Sequence, residues 1–227
     1  MKSKLDLDAI LNQTFFGLDI LTMLGDVEYF IEFSESNIEW QKQCELKRTE
    51  HECDEEEFDD PNTEGQYRHQ MLEGTEYRFE VSLKQRVRYA GLTALITTIE
   101  WCLLALKKQA AFDFPKKPDK TNEAVHILRV FNERAGLVLA DKIDFLERLV
   151  HVRNCIVHAA GLPGSFKFEA QIRQSVPALH GITLSKANFL GESIALEAGF
   201  LERVIEDARA WLPNLEKAIS QQGLLRK

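Results

Sequence analysis

Apolar residues recur at helical spacing along most of the chain. Leu7, Ile10, Leu11, Phe15, Leu18 and Leu21 open a stripe that predicts one long amphipathic helix through Ile31. Tyr77 to Lys108 predicts a second long helix, polar at first (Lys84, Arg86, Arg88) and then apolar. Phe112 to Lys120, FDFPKKPDK, predicts a connector, because its two prolines stop a helix. Thr121 is the expected cap of a third helix to about Gly136, and Asp141 of a fourth to about Ala159. Gly161-Leu-Pro-Gly164 predicts a turn. Phe166 to Leu196, with Pro177, Gly181, Gly191 and the alternations HGITLS and ESIALE, predicts irregular structure with a small β-hairpin. Phe200 to Ile219 predicts a final helix with Phe200, Leu201, Val204, Ile205, Ala208 and Leu212 on one face, bent or restarted at Pro213. The expected fold class is all-α: a bundle of about five helices, with a short β-hairpin or irregular segment before the last.

Composition refines this picture. At 227 residues and 44% hydrophobic, the chain can bury a sizeable core and is not globally disordered. A single domain over 1–227 is expected, interrupted by an acidic loop or insert at 44–76. There Glu50 to Asp60 holds eight acids in eleven residues, followed by Pro61-Asn62-Thr63-Glu64-Gly65. The net charge of −8 conceals a split: residues 1–80 balance to −14 and residues 81–227 to +6. The later two thirds therefore suit an anionic ligand, while the acidic part points elsewhere, guards the site, or is a solvated insert.

The N-terminal stretch is not expected to act as a secretory signal, since Asp6, Asp8 and Asn12 interrupt any apolar run. The most apolar segment, Tyr89 to Leu106, is 18 residues long and contains Glu100, which favours a buried helix over a membrane span. Cys44, Cys53, Cys102 and Cys155 form no CxxC and no zinc pattern with the histidines. A cytoplasmic protein with reduced thiols, no membrane association and no cofactor is expected.

The chemistry-bearing stretch is LERLVHVRNCIVHAAG, from Leu146 to Gly161. On a helix, Phe145, Leu149, Val152 and Ile156 form a core stripe. His151, Asn154 and His158 form a separate polar stripe, with Glu147 one turn before. Arg153 and His158 stand about 140° apart around such a helix. A histidine can take a proton from a ribose 2′-hydroxyl or give one to a leaving 5′ oxygen, and a guanidinium can clamp the phosphate between them. An asparagine orients either group without adding charge. The bland alternative is that His and Arg favour a helix C-terminus through the helix dipole alone.

Arg153-Asn154-Cys155-Ile156-Val157-His158 has the form Arg, Asn, three residues, His. It resembles the signature of the HEPN superfamily, an all-helical group rich in ribonucleases of toxin–antitoxin and phage-defence systems. The resemblance covers about residues 77–220. It implies a homodimer in which Arg and His of two subunits meet across a two-fold axis in one composite cleft. Carried over, Arg153 would bind phosphate, His158 would be the acid/base and Asn154 would assist. Members paired with a nucleotidyltransferase antitoxin often carry a tyrosine two residues after the histidine. Ala160 stands there in this chain, which counts against that partnership, though not against another antitoxin or defence partner.

Glu100 is the remaining candidate. Among Ile96, Leu103 and Leu104 its carboxylate needs a cation or a proton. Arg153 or His158 would make it part of the site, and Arg148 would make it structural. His151 either lines the cleft or is a hydrogen-bonded structural residue, and Cys155 packs as a small hydrophobe. Lys84, Arg86, Arg88, Lys107, Lys108, Lys116 and Lys117 either track an RNA backbone or sit on solvated faces. The expected function is a metal-independent endoribonuclease whose products end in a 2′,3′-cyclic phosphate and a 5′-hydroxyl. The alternatives are a catalytically idle module of the same fold that binds a nucleotide, RNA or a protein, and a helical scaffold whose acidic insert docks a basic partner.

Overall fold

The computed structural model describes residues 15–188 and 191–226. The expected helix start at Leu7 lies outside them. Six helices and one two-stranded antiparallel hairpin make up the described chain, so the molecule is a mostly helical bundle with a short hairpin before its last helix. The helices are α1 (Phe15–Glu55), α2 (Pro61–Gln109), α3 (Glu123–Ala135), α4 (Ala140–Ala159), α5 (Glu169–Ser175) and α6 (Phe200–Gln221). The hairpin joins β1 (Ile182–Asn188) and β2 (Gly191–Leu196), with Ile182 opposite Leu196 and Leu184 opposite Ile194. Two compact units result. One comprises residues up to Glu28 together with Leu92 onward, and the other Tyr29–Gly91.

Of the acidic loop or insert expected over 44–76, residues 44–55 and 61–76 are helical, and 56–60 connect the two helices. Glu, Lys, Arg and Gln are good helix formers, and α1 carries them to Glu55, with Arg48 paired to Glu52 at 3.3 Å one turn on. Pro61 does not mark a loop either. It stands in the first turn of α2, where its missing N–H costs nothing, and the Asp60 side chain accepts from Thr63 N at 3.0 Å as the cap. Within Tyr29–Gly91 the ion pairs Lys42–Glu80, Arg88–Glu35 (2.8 Å) and Arg68–Asp54 join α1 to α2, and Thr49 and Thr75 meet at 3.3 Å between them. A six-residue π-helical stretch, Arg78–Leu83, lies inside α2.

The other unit holds the principal core. Leu92, Leu95, Ile96, Cys102, Leu103 and Leu106 of α2 are fully buried. α2 is the one described helix long and apolar enough to cross a membrane, and these side chains line the inside of its unit. From α3 all of Ala124–Val130 except Arg129 is buried, and Phe131 packs edge-on to Phe112 and Phe114 at 6.0 and 5.3 Å. The proline connector thus carries two core-facing aromatics. It is also held by the buried His126, whose Nε2 lies 3.0 Å from the Pro115 carbonyl. Just before the connector, Ala111 N donates to Leu224 O at 2.8 Å and Arg226 N to Gln109 O at 2.8 Å, fastening the C-terminal residues.

α6 runs unbroken through Pro213, contrary to the expected bend or restart. Its apolar face is buried from Phe200 to Ile219, and that packing outweighs the lost backbone bond. The Asn214 side chain meanwhile donates to Ala210 O at 2.7 Å beside the proline. Arg209 of α6 pairs with Glu28 of α1 at 2.7 Å. The cap of α3 is Asn122 rather than Thr121, and α4 begins after Leu139, with Asp141 in its first turn.

Candidate active site

α4 presents two faces. Leu146, Leu149, Val152 and Cys155 are buried on one, while Glu147, Val150, His151 and Asn154 line a cavity. Leu149, Val152 and Ile156 of the expected core stripe are buried, but Phe145 is only half-buried. The helix ends by a left-handed residue that is not glycine: Ala160 has φ 52° and its N–H returns to Cys155 O. Gly161 follows at φ 79°, and its carbonyl accepts from Ile194 N of β2 at 2.8 Å. The hairpin therefore grips the end of the helix that carries the signature.

Arg153 Nη2 donates to Glu100 Oε1 of α2 at 2.6 Å. Both side chains are about four-fifths withdrawn from water, at 18% and 22% exposure, so the pair is screened far less than a surface ion pair. Asn122 Nδ2 donates to the same Oε1 at 2.9 Å, while Asn122 Oδ1 accepts from Ala124 N at 2.8 Å as the α3 cap. One asparagine thus locks a helix start to the carboxylate that holds the arginine. Arg148, the structural alternative for Glu100, instead pairs with Asp144 at 2.7 Å. Arg153 Nε is buried with no hydrogen-bond partner among the described residues. An orphaned buried donor costs free energy.

His158 and Val157 are exposed in the last turn of α4. His158 makes no hydrogen bond or ion pair among the described residues, so within one chain it is not joined to the Arg153–Glu100 pair. Asn154 lines the cavity rather than the ion pair. His151 lies 3.2 Å through Nδ1 from the buried Ser175 Oγ, and burial pushes its pKa down against the opposing field of Glu147. Burial raises the Cys155 and Cys102 thiols to about 11, which leaves them as packing groups.

The cavity has a volume of about 310 Å³. Asn122 and Asn154 line it, as do Phe166 and Phe168 from the segment after α4. These aromatics and Asn122 escaped the sequence reading. Asn122 was hidden by the equally good cap Thr121 beside it, and the phenylalanines by an irregular segment without periodicity.

Several of the basic residues expected to track RNA are engaged internally. Lys84 pairs with Glu80 at 2.6 Å, Arg88 with Glu35, Lys107 with Glu123 at 2.6 Å, and Lys117 donates to Thr121 O at 2.7 Å. Arg86, Lys108 and Lys116 are exposed. No group of three or more His, Cys, Asp or Glu able to hold a metal occurs among the described residues. No family model, curated protein or solved structure matches the chain.

Proposed function

We propose that the chain is a cytoplasmic, metal-independent endoribonuclease of HEPN type, acting as a homodimer and serving as a toxin or anti-phage effector. His158 takes the proton from a ribose 2′-hydroxyl. The 2′ oxygen attacks phosphorus, the bond to the 5′ oxygen breaks, and the second copy's His158 protonates that leaving oxygen. Arg153 opposes the charge that grows on the phosphoryl oxygens, and Glu100 with Asn122 holds its guanidinium in place. The products are a 2′,3′-cyclic phosphate and a 5′-hydroxyl.

The observation that carries this reading is the held arginine. Arg153 is anchored through one nitrogen to Glu100, and an exposed histidine follows five residues later on the same helix. A second reading, an idle binding module, is favoured by the same ion pair, since Glu100 already neutralises much of the charge on Arg153.

Cleavage of a mixed-sequence single-stranded RNA in excess EDTA separates the two. The nuclease reading predicts that His158→Ala loses about 10²–10⁴ of the rate, the usual worth of a general acid or base, while retaining wild-type stability because the residue is exposed. Equal cleavage by the two proteins contradicts a role for His158. RNA binding without cleavage by either moves the function to the idle module.

A further inference from the structure

The 310 Å³ cavity beside Arg153 has a composition unlike that of a packing defect. An empty packing defect is lined by aliphatic side chains and stays dry. This one combines two phenylalanines with the amides of Asn122, Asn154 and Gln171. Phe166 and Phe168 stand at 74° with centroids 5.7 Å apart, so their rings form a corner in which a flat ring can lie on one face with its rim against the other.

Charge at the cavity is arranged in a particular way. Glu147 on its wall is neutralised by Arg129 at 2.7 Å. His151 is held toward its neutral form by burial, with the Arg148 charge acting in the same direction and Glu147 against it. Lys120 is exposed at the cavity edge in a left-handed backbone conformation, φ 64°. Lys167 stands over the Phe168 ring at 5.5 Å. A ligand here meets neutral donors and acceptors inside and positive charge outside.

We propose that this cavity is a nucleobase subsite, which holds the base of a nucleotide flanking the scissile phosphodiester. The base lies on the Phe166–Phe168 corner. Asn154 and Gln171 each offer a donor and an acceptor to its edge, as base recognition by amides requires. Lys120 meets the attached phosphate. Asn122 links the two sites, because it lines the cavity and also donates to the Glu100 oxygen that holds Arg153. Asn154 and Arg153 are adjacent in sequence, so one turn of α4 serves both the base and the phosphate. The placement on RNA rests on the ribonuclease reading, whereas binding of a nucleotide does not.

The test is equilibrium binding of the four nucleoside 5′-monophosphates in turn to the full chain. At least one is expected to saturate the wild type. Phe168→Ala is expected to weaken binding at least tenfold. Both Phe168 and Gln171 are exposed at the surface, so their substitution leaves the core untouched. Phe168→Trp is expected to keep the affinity and to lose fluorescence as the base stacks. Lys120→Gln is expected to reduce the nucleotide's affinity to that of the free nucleoside. No binding of any nucleotide, or binding unchanged in Phe168→Ala and Gln171→Ala, overturns the subsite even if RNA cleavage is found. A 2′-deoxy trinucleotide, which lacks the attacking hydroxyl, is expected to displace the mononucleotide. Failure to displace it overturns the placement on the substrate.

Discussion

Glu100 is the residue on which the candidate site turns. Its Oε1 receives both Arg153 and Asn122, so removing the carboxylate leaves a largely buried guanidinium without its counter-ion. Because each partner keeps about a fifth of its surface in water, the cost is below that of a fully buried pair, about 1–3 kcal/mol for Glu100→Ala. That loss is expected to lower the thermal midpoint by about 2–12 °C, at roughly 2–4 °C per kcal/mol for a chain of this size. Glu100→Gln is expected to lose less stability, because the Asn122 contact survives, and to abolish cleavage with the misplaced arginine. Differential scanning calorimetry beside an RNA cleavage assay reads both. His151 supplies a second residue-scale prediction. Its pKa is depressed in the folded chain, so the unfolded chain takes up the proton first. Its stabilising effect is complete above the ordinary histidine value of about 6.5 and is lost as pH falls through that value toward the depressed one. His151→Gln is expected to flatten the stability profile across that window, and a pH series of denaturation midpoints checks it.

Glu100 was legible in the sequence because a carboxylate inside an apolar helix must find a cation, and Arg153 was one of three candidates beside His158 and Arg148. Which of the three pairs with it was not legible. That choice depends on how α4 is turned against α2, and periodicity within either helix is silent on the point. The exposure of His158 was equally hidden, since its place on the polar stripe did not say whether another element covers it.

At the scale of elements, the end of α4 is the sensitive place. Ala160 pays the steric cost of a left-handed conformation in which glycine is free, and it does so two residues after His158. Ala160→Gly is expected to raise stability by about 0.5–1 kcal/mol, after allowing for the greater freedom of glycine in the unfolded chain. Urea denaturation measures it, and a loss of stability would contradict the strain. The sequence placed α3, α4, α6 and the hairpin to within a few residues because strong apolar faces, glycines and prolines mark them. It erred where one signal has two meanings. Pro61 reads as loop or first turn, Pro213 as break or tolerated interior residue, and a dense acidic run as coil or solvated helix. Tertiary packing and the caps decide each case.

Across the whole molecule, charge is distributed by unit and not by sequence halves. Tyr29–Gly91 holds 8 Lys/Arg against 16 Asp/Glu, which is the entire net charge of −8, and the unit bearing the candidate site is balanced. The basic surplus read over 81–227 therefore disappears, because Lys84, Arg86 and Arg88 fall in the other unit and residues 1–28 bring five acids against two lysines. On the proposed ribonuclease reading, so balanced a unit offers RNA few phosphate contacts. The dependence of log affinity on log salt is expected to be shallow, with a slope of magnitude about 1–3, and a slope near 6–10 would point to an extended basic track instead.

The most direct measurement of the central claim is the chemistry of the ends left on a single-stranded RNA after digestion by the wild-type chain in excess EDTA, read by mass spectrometry. A 2′,3′-cyclic phosphate on one fragment and a 5′-hydroxyl on the next is the predicted result, and it requires the 2′-hydroxyl as nucleophile. A 5′-phosphate with a free 3′-hydroxyl, or intact RNA at every protein concentration, would contradict it.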